Sequence, residues 1–470
     1  MNANNSQLLI KPLIILAAVV AGYSNSVWGD FQFSDYNVIV SNPAVHSWGG
    51  WLETMRHLGI RPLLKFTYTL CWTSGLGVAG FHLFNIAVHA LSSLFVYLLA
   101  GRFTRRCAGL ERKGGDAAAA FFIGLLFALH PVHTEAVTYI CARSASLSAL
   151  LYLGSLLAYL RGVETRKPVW LFIASPLLFV AAVATKEVAV TLPLALLLWE
   201  ATVGRRSWKR ALADQSVHWA LLLLLMVVIF SHPRYLTLLL FSSELRSFSD
   251  NMVSQINGIG YLLSRLVLLN KLNIDPDIQI VTSMNPVLWC KLAVGAAALG
   301  IAVRLRRSRP WLIFGAVWFF LVLMPSNSVF ARLDLVNERH LYLADFGLLL
   351  ALGCEIGLLY QRRPAWRTMI AGAAGAVCCL LLLFTMLRNR DYRSEVSLWE
   401  STTRQSPQKA RGFNNLGCAY ELAKLPEQAA ACYAKALQLD PRHQNARANL
   451  ERLQMAGGEP GSPSLREMDR

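Results

Sequence analysis

Long apolar runs separated by short polar stretches organise residues 1–388. The runs fall at 8–28, 80–100, 117–131, 144–160, 169–184, 188–203, 217–231, 287–303, 311–325, 343–360 and 368–387. Each is apolar throughout rather than striped, which is the pattern of a helix surrounded by lipid or by other apolar helices. They predict about eleven membrane-spanning helices. A further apolar stretch, 253–270, is interrupted by Gln255, Asn257, Ser264 and Arg265. It predicts an interfacial or re-entrant helix. The first run has no convincing small-residue cleavage site and reads as an uncleaved anchor.

From Asn389 the pattern changes to helical striping. Residues 410–443 fit one 34-residue tetratricopeptide repeat: Leu416-Gly417, Tyr420, Ala429, Tyr433, Ala436 and Pro441 stand at its small, large and helix-ending positions. Trp399 and Pro407 fit the second helix of a preceding half-repeat, and 444–456 fits a following first helix. One repeat cannot bury its own face, so these halves are expected to cap it. The Gly-, Pro- and Ser-rich stretch 457–470 reads as disordered. The chain therefore divides into a membrane domain (1–388), a helical repeat module (389–456) and a tail (457–470).

Composition agrees. The chain has 470 residues, 55% hydrophobic and 16% charged, with a net charge of +17. Soluble domains are closer to a quarter charged. The basic residues do not form a nucleic-acid surface. They cluster between runs, at Arg102, Arg105, Arg106, Arg112 and Lys113; Arg161, Arg166 and Lys167; Arg205, Arg206, Lys209 and Arg210; Arg304, Arg306, Arg307 and Arg309; and Arg362, Arg363 and Arg367. Alternate ends of successive runs carry them, so these loops are cytoplasmic. The N-terminus is then inside. Loop 29–78, the turn at His130–Glu135, Lys186-Glu187, residues 232–286, loop 326–342 and the repeat module lie outside. The nine cysteines lack zinc spacing. Cys418 and Cys432 are either a disulfide, if the module faces an oxidising compartment, or packed thiols.

The charges at span ends on the outer side are Asp30, Asp35, Arg61, Lys65, Glu135, Arg143, Lys186, Glu187, Glu338 and Arg339. Snorkelling and ion pairing account for any one of them. Together they offer a carboxylate base and cations for a phosphate on one face. That set suits transfer of a sugar from a polyprenyl phosphate whose phosphate sits at headgroup depth. A carboxylate deprotonates an incoming hydroxyl, and Arg or Lys stabilises the departing phosphate. No nucleotide-binding motif is present. His82, His89, His130 and His133 lack metalloprotease spacing, so no metal cofactor is expected.

The ordered motifs are Gly29-Asp30-Phe31-Gln32-Phe33-Ser34-Asp35, Ile39-Val40-Ser41-Asn42-Pro43, Arg61-Pro62-Leu63, Phe81-His82-Leu83-Phe84-Asn85 with His89, His130-Pro131-Val132-His133-Thr134-Glu135, Ala142-Arg143, Thr185-Lys186-Glu187, Pro325-Ser326-Asn327-Ser328 and Asn337-Glu338-Arg339-His340-Leu341-Tyr342. In this order, and with the repeat module last, the chain resembles the transmembrane and tetratricopeptide-repeat protein O-mannosyltransferases and their bacterial relatives. The resemblance implies an all-α, GT-C-type glycosyltransferase with a lipid-phosphate sugar donor and no other cofactor. It implies inverting transfer to a hydroxyl and a repeat domain on the catalytic side. Carried onto this sequence, it makes Asp35 the candidate base, with Asp30 and Glu135 as alternatives. Arg339, Lys186 and Arg61 become candidates for the donor phosphate. His82, His130, His133, Asn42, Glu187, Glu338 and Tyr342 become candidates for substrate binding. The implied partners are a lipid-linked sugar, a protein or peptide acceptor docked on the repeat, and membrane lipids. Short loops and an Ala/Leu/Arg-rich style point to a bacterial inner membrane with a periplasmic active face; an endoplasmic-reticulum membrane with a lumenal face is the alternative. Two rival readings of the same frame are transfer to a glycolipid or glycan, and a non-catalytic scaffold that recruits partners through the repeat.

Overall fold

A computed structural model of the chain describes residues 3–455 apart from 58, 108, 109, 111–114, 205, 328 and 329. The tail 457–470 and the basic residues Arg112, Lys113 and Arg205 fall outside the described residues. Every regular element among the described residues is helical. The order is α1 (Ala3–Tyr23), α2 (Trp48–Arg56), α3 (Pro62–Thr73), α4 (Gly77–Thr104), α5 (Gly115–Leu129), α6 (Thr134–Thr138), α7 (Arg143–Thr165), α8 (Ser175–Thr185), α9 (Leu192–Val203), α10 (Trp208–Asp214), α11 (Ser216–Ser231), α12 (Pro233–Leu245), α13 (Phe248–Arg265), α14 (Pro286–Arg304), α15 (Pro310–Leu323), α16 (Leu341–Arg362), α17 (Arg367–Asp391), α18 (Glu395–Gln405), α19 (Ala410–Leu422), α20 (Pro426–Leu439) and α21 (Gln444–Met455). Proline opens α3, α12, α14, α15 and α20, where its fixed φ suits the first turn and its missing N–H costs nothing.

Each predicted apolar run falls on a helix. By length and apolar character, six single helices among the described residues can cross a bilayer, or up to eight if two bent pairs each count as one span. Trp170–Thr185 and Pro310–Leu323 are apolar but shorter. The chain is a multi-pass membrane protein. The run at 117–131 differs from a simple span. It continues through Pro131 into α6 with a bend of 46°, because Pro131 has no N–H for α5 and His130 Nδ1 accepts the Val132 amide to start the next turn. The bend carries Glu135 into the protein interior rather than into a water-facing turn.

The core of the membrane domain lies between α4, α5, α7, α9, α15 and α16. α15 and α16 approach through Gly315 and Gly347. A Cβ on Gly315 would stand 2.4 Å from Gly347 O, and one on Gly347 would stand 2.8 Å from Gly315 O. Only glycine permits that contact. Trp199, Trp311 and Trp318 fill the space around it. One buried cation ties α3, α4 and the start of α7. Arg143, 0% exposed, donates from Nε to Asn85 Oδ1, from Nη1 to Thr67 O and Oγ1, and from Nη2 to Phe81 O. It lies over the rings of Tyr68, Phe81 and Phe84. Arg143 is thus a structural clamp.

α13 takes the place of the predicted interfacial helix. Its buried residues include Asn251, Ser254 and Gln255, and Gln255 bonds Asn327 and Leu335 O in the 326–337 loop. The repeat forms as expected. α19 and α20 pack as the helix pair, α18 lies before it and α21 after it. Gly417 lies under the Tyr433 ring. Tyr433 Oη donates to Cys418 Sγ at 3.4 Å, and no disulfide joins Cys418 to Cys432.

Candidate active site

One set of helix ends, the loops between them and the repeat module enclose a polar cavity of about 300 Å³. Phe33, Ser34 and Val38 line it from the first loop, Arg61 from the residue before α3, and Leu64 and Tyr68 from α3. Tyr139, Cys141, Ala142 and Ser144 come from the turn into α7, and Lys186 from the turn after α8. Ile274 and Asp275 come from the loop after α13; Arg332, Asp334, Asn337, Arg339 and His340 come from the loop before α16. The module adds Trp399 of α18 and Arg411 of α19.

Five cations therefore face one small space. Arg61 donates from Nε and Nη2 to the two oxygens of Glu187, at 3.0 and 2.8 Å. Tyr235 Oη donates to the same carboxylate at 2.6 Å. Burial alone would raise the Glu187 carboxyl, but Arg61 and these hydrogen bonds outweigh it and hold it down at about 2. Arg339 pairs with Glu135 at 2.9 Å, and its backbone N–H donates to the other Glu135 oxygen at 2.8 Å. Arg411 is held between Asp275 and Asp334. Lys186 and Arg332 have no ion pair among the described residues. Burial first, and then Arg339, Arg61 and Arg332, push the Lys186 ammonium well below its ordinary range, while Glu187 opposes them.

Asp35 lies immediately behind the cavity wall, 1% exposed. Its Oδ1 accepts the amide of Cys141 at 2.7 Å and its Oδ2 the amide of Gln32 at 3.0 Å. No cation among the described residues pairs with it. Burial, with a smaller contribution from Glu395, raises the carboxyl to about 7 against those two hydrogen bonds and one from the Cys141 thiol. The loop that carries it is strained. Phe33 has φ 46°, in the left-handed region that a bulky residue rarely adopts. Its amide donates to Glu395 Oε2 at 2.8 Å, and its ring meets Trp399 edge-on at 5.2 Å. Arg61, the residue before Pro62, is also left-handed at φ 53°.

The predicted site residues divide accordingly. Arg61, Lys186 and Arg339 line the cavity together. Asp35, Glu135 and Glu187 stand behind it, each bonded to a lining residue. Tyr342 borders a small adjoining space of about 30 Å³ with Lys186, Arg339 and His340, and bonds His89 Nδ1 at 2.7 Å. Asp30 is exposed outside the cavity, with its amide on Arg393 O. The others are engaged in internal bonds. Asn42 Oδ1 caps the turn at Pro43–Val45. His82 meets Gly29 O, and His130 meets Leu266 O. His133 bonds Phe127 O and Asp345 inside the bundle. Glu338 accepts from Tyr261 Oη at 2.9 Å and from the Asn273 amide at 2.7 Å. Arg332, Asp275, Asp334, Asn337, His340, Trp399 and Arg411 complete the lining and were not anticipated. Among the described residues no His, Cys, Asp and Glu side chains gather as a metal site.

The fold and cavity define a multi-pass helical membrane protein whose repeat module closes a cation-rich chamber. Comparison with known proteins gives the lineage. The tetratricopeptide-repeat family model matches residues 410–443. The chain is 24% identical to Protein O-mannosyl-transferase F38B6.6 of Caenorhabditis elegans, over 93% of this chain and 64% of that protein. It is 27% identical to Protein O-mannosyl-transferase Tmtc3 of Drosophila melanogaster, over 94% of this chain and 56% of the relative. It is 26% identical to Protein O-mannosyl-transferase TMTC3 of Homo sapiens, over 93% and 52%. The chain spans about half to two thirds of the length of these relatives. It is a relative of the transmembrane and tetratricopeptide-repeat protein O-mannosyl-transferases, as the ordered motifs implied.

Proposed function

We propose that the chain is a GT-C-type membrane glycosyltransferase. It moves mannose, or a related hexose, from a polyprenyl phosphate to Ser/Thr hydroxyls of exported proteins, on the extracytoplasmic face of the topology with about eleven spans. The observation that carries the reading is the cavity. Lys186 and Arg332 have no carboxylate partner, and Arg61 and Arg339 stand beside them. A phosphate entering this space meets fixed cations that need no reorganisation, and it restores the charge that burial disfavours on Lys186.

Asp35 is the base in this scheme. Of the predicted carboxylates behind the cavity it alone has no cation partner among the described residues. In its charged form it takes the proton of the acceptor hydroxyl. The hydroxyl oxygen bonds to the anomeric carbon as the bond from that carbon to the phosphate oxygen breaks. The electron pair leaves on the polyprenyl phosphate, which Lys186, Arg332 and Arg339 stabilise, and the anomeric centre inverts. Glu135 and Glu187 orient Arg339 and Arg61.

The test is a transfer assay with purified protein, radiolabelled polyprenyl-phosphate mannose and a pool of Ser/Thr peptides. Wild type labels peptide, and Asp35→Asn loses about 10²–10⁴-fold in turnover. Label appearing on lipid-extractable glycan instead of peptide would replace the protein acceptor with a glycolipid.

A further inference from the structure

The repeat module is not an arm beside the cavity. It contributes part of the wall, and that part has a definite chemistry. Arg411 donates from Nε to Asp275 Oδ2 at 2.9 Å and from Nη2 to Asp275 Oδ1 and, at 2.7 Å, to Asp334 Oδ1. Among the described residues its Nη1 has no hydrogen bond, and neither does Asp334 Oδ2. Lys409 Nζ also donates to Asp275 Oδ1, at 2.5 Å, so both Asp275 oxygens are engaged. Ser406 fastens the same loop by accepting from Asn273 Nδ2 at 2.7 Å and donating to Asp275 O at 3.0 Å. Arg411 is therefore held rigidly by Asp275. Next to that anchor the cavity wall keeps one unpartnered N–H donor group and one unpartnered carboxylate oxygen.

We propose that Arg411 and Asp334 form the acceptor subsite, a fixed donor and acceptor couple that reads the backbone amide of the incoming peptide beside its hydroxyl. The inference rests on the transferase reading above. Its direction comes from the architecture. The cations Lys186 and Arg339 lie in turns next to apolar helices, with Arg61 beside them in the first loop, where a lipid-borne phosphate arrives. Arg411 belongs to the soluble module, and a polypeptide arrives from water. A peptide group presents one C=O acceptor and one N–H donor, which complements an arginine N–H and a carboxylate oxygen. The pair is preorganised by Asp275, so little side-chain freedom is lost on binding.

The experiment uses the full chain in detergent and separates peptide binding from transfer. Binding of a fluorescein-labelled Ser/Thr peptide is read by anisotropy, and the acceptor KM and donor KM are read from label transfer. Asp334→Asn replaces the free oxygen or its neighbour with a donor and keeps the Asp275–Arg411 anchor, so the module stays docked. Arg411→Lys keeps charge at Asp275 but loses the guanidinium fork. Each variant is expected to weaken peptide binding and raise the acceptor KM about tenfold or more, the effect of losing one hydrogen bond to a charged group, while the donor KM stays within about twofold. Unchanged peptide affinity in both variants overturns the proposal, as does a rise confined to the donor KM. If wild type binds peptide but transfers nothing from any lipid-linked sugar, the transferase reading fails. The subsite is then judged on the anisotropy difference alone.

Discussion

Glu135→Gln separates two roles that one residue could have in this cavity. Glu135 is 1% exposed and is bound to Arg339 through both the guanidinium and the backbone amide. At 2.9 Å the gross attraction between the charges is ~6 kcal/mol at an effective dielectric of 20. Desolvation of both groups offsets much of that, and breaking a buried pair from one side typically costs about 3–5 kcal/mol. Arg339 is 27% exposed towards the cavity, so water or a phosphate can take over part of the lost interaction. Glutamine also keeps one oxygen for the Arg339 amide. We therefore expect a cost of about 3 kcal/mol, at the lower end of that range. It is a sizeable share of a total stability of about 5–15 kcal/mol. The kinetic effect should be opposite in kind. An Arg339 freed of its counter-charge binds the donor phosphate more tightly, so donor KM falls while kcat stays within about tenfold. The assays are thermal unfolding in detergent and steady-state transfer with varied donor. A loss of kcat by about 10²–10⁴-fold with an unchanged unfolding temperature would refute the reasoning. Glu135 would then be the base, and Asp35 would be a structural carboxyl.

The pH profile tests Asp35 from another side. Because its carboxyl is raised to about 7 and must be charged to act, kcat/KM should rise between pH 6 and 8 with an apparent pKa near 7; a limb near 4 would exclude it. Stability runs the other way. Asp35 and Glu395, both raised to about 7 chiefly by burial, favour the neutral form in the folded chain. The stability they contribute is complete below the ordinary carboxyl range and is lost as pH rises through 7. Proteolysis at residues 391–394 should be faster at pH 8 than at pH 5, and equal rates would oppose the assignment. In the repeat, a Cβ on Gly417 would stand 2.4 Å from the Tyr433 ring. Gly417→Ala should therefore cost about 1–3 kcal/mol, read as a lower unfolding temperature; an unchanged one would mean that the packing is looser than described.

Much of this was legible because the bilayer forces it. Every backbone amide inside lipid must be satisfied locally, so an apolar run becomes a helix and the pattern alone locates it. The repeat was legible for a similar reason: Gly417 and Tyr433 are a small and a large residue that must meet. Lys186 and Arg339, which line the cavity, stood out in the sequence as charges beside an apolar run, and Arg61 as a charge in the long first loop. Asp275, Arg332, Asp334 and Arg411 sit in polar loops or on a soluble helix, where another charge carries no signal, and only the fold brings them together. The histidines are read differently once the fold is known. His130 and His133 look functional in sequence, yet a break in a buried helix also needs polar groups, and here they satisfy Val132 N, Phe127 O and Leu266 O.

The strained residues explain why the first loop and the module occur in one chain. Phe33 and Arg61 flank the cavity in left-handed backbone, at a cost on the order of 1–3 kcal/mol each. Neither conformation would persist in a loop free in water. For Arg61 the restraint is internal to the membrane domain, in the bidentate bond to Glu187. For Phe33 it comes from the module: the Glu395 carboxylate takes its amide, Trp399 meets its ring, and Gln32 Nε2 bonds Tyr392 O at 2.5 Å. Glu395 is itself positioned by Trp399 Nε1 at 2.8 Å. The same turn of backbone sets Asp35 against the Cys141 amide. On this account the module is part of the catalytic unit through the loop as well as through Arg411. Removing it should disorder residues 30–35 and abolish transfer even to a tripeptide too short to reach the outer face of the repeat. Full activity of residues 1–388 on such a tripeptide would return the module to the role of a docking arm.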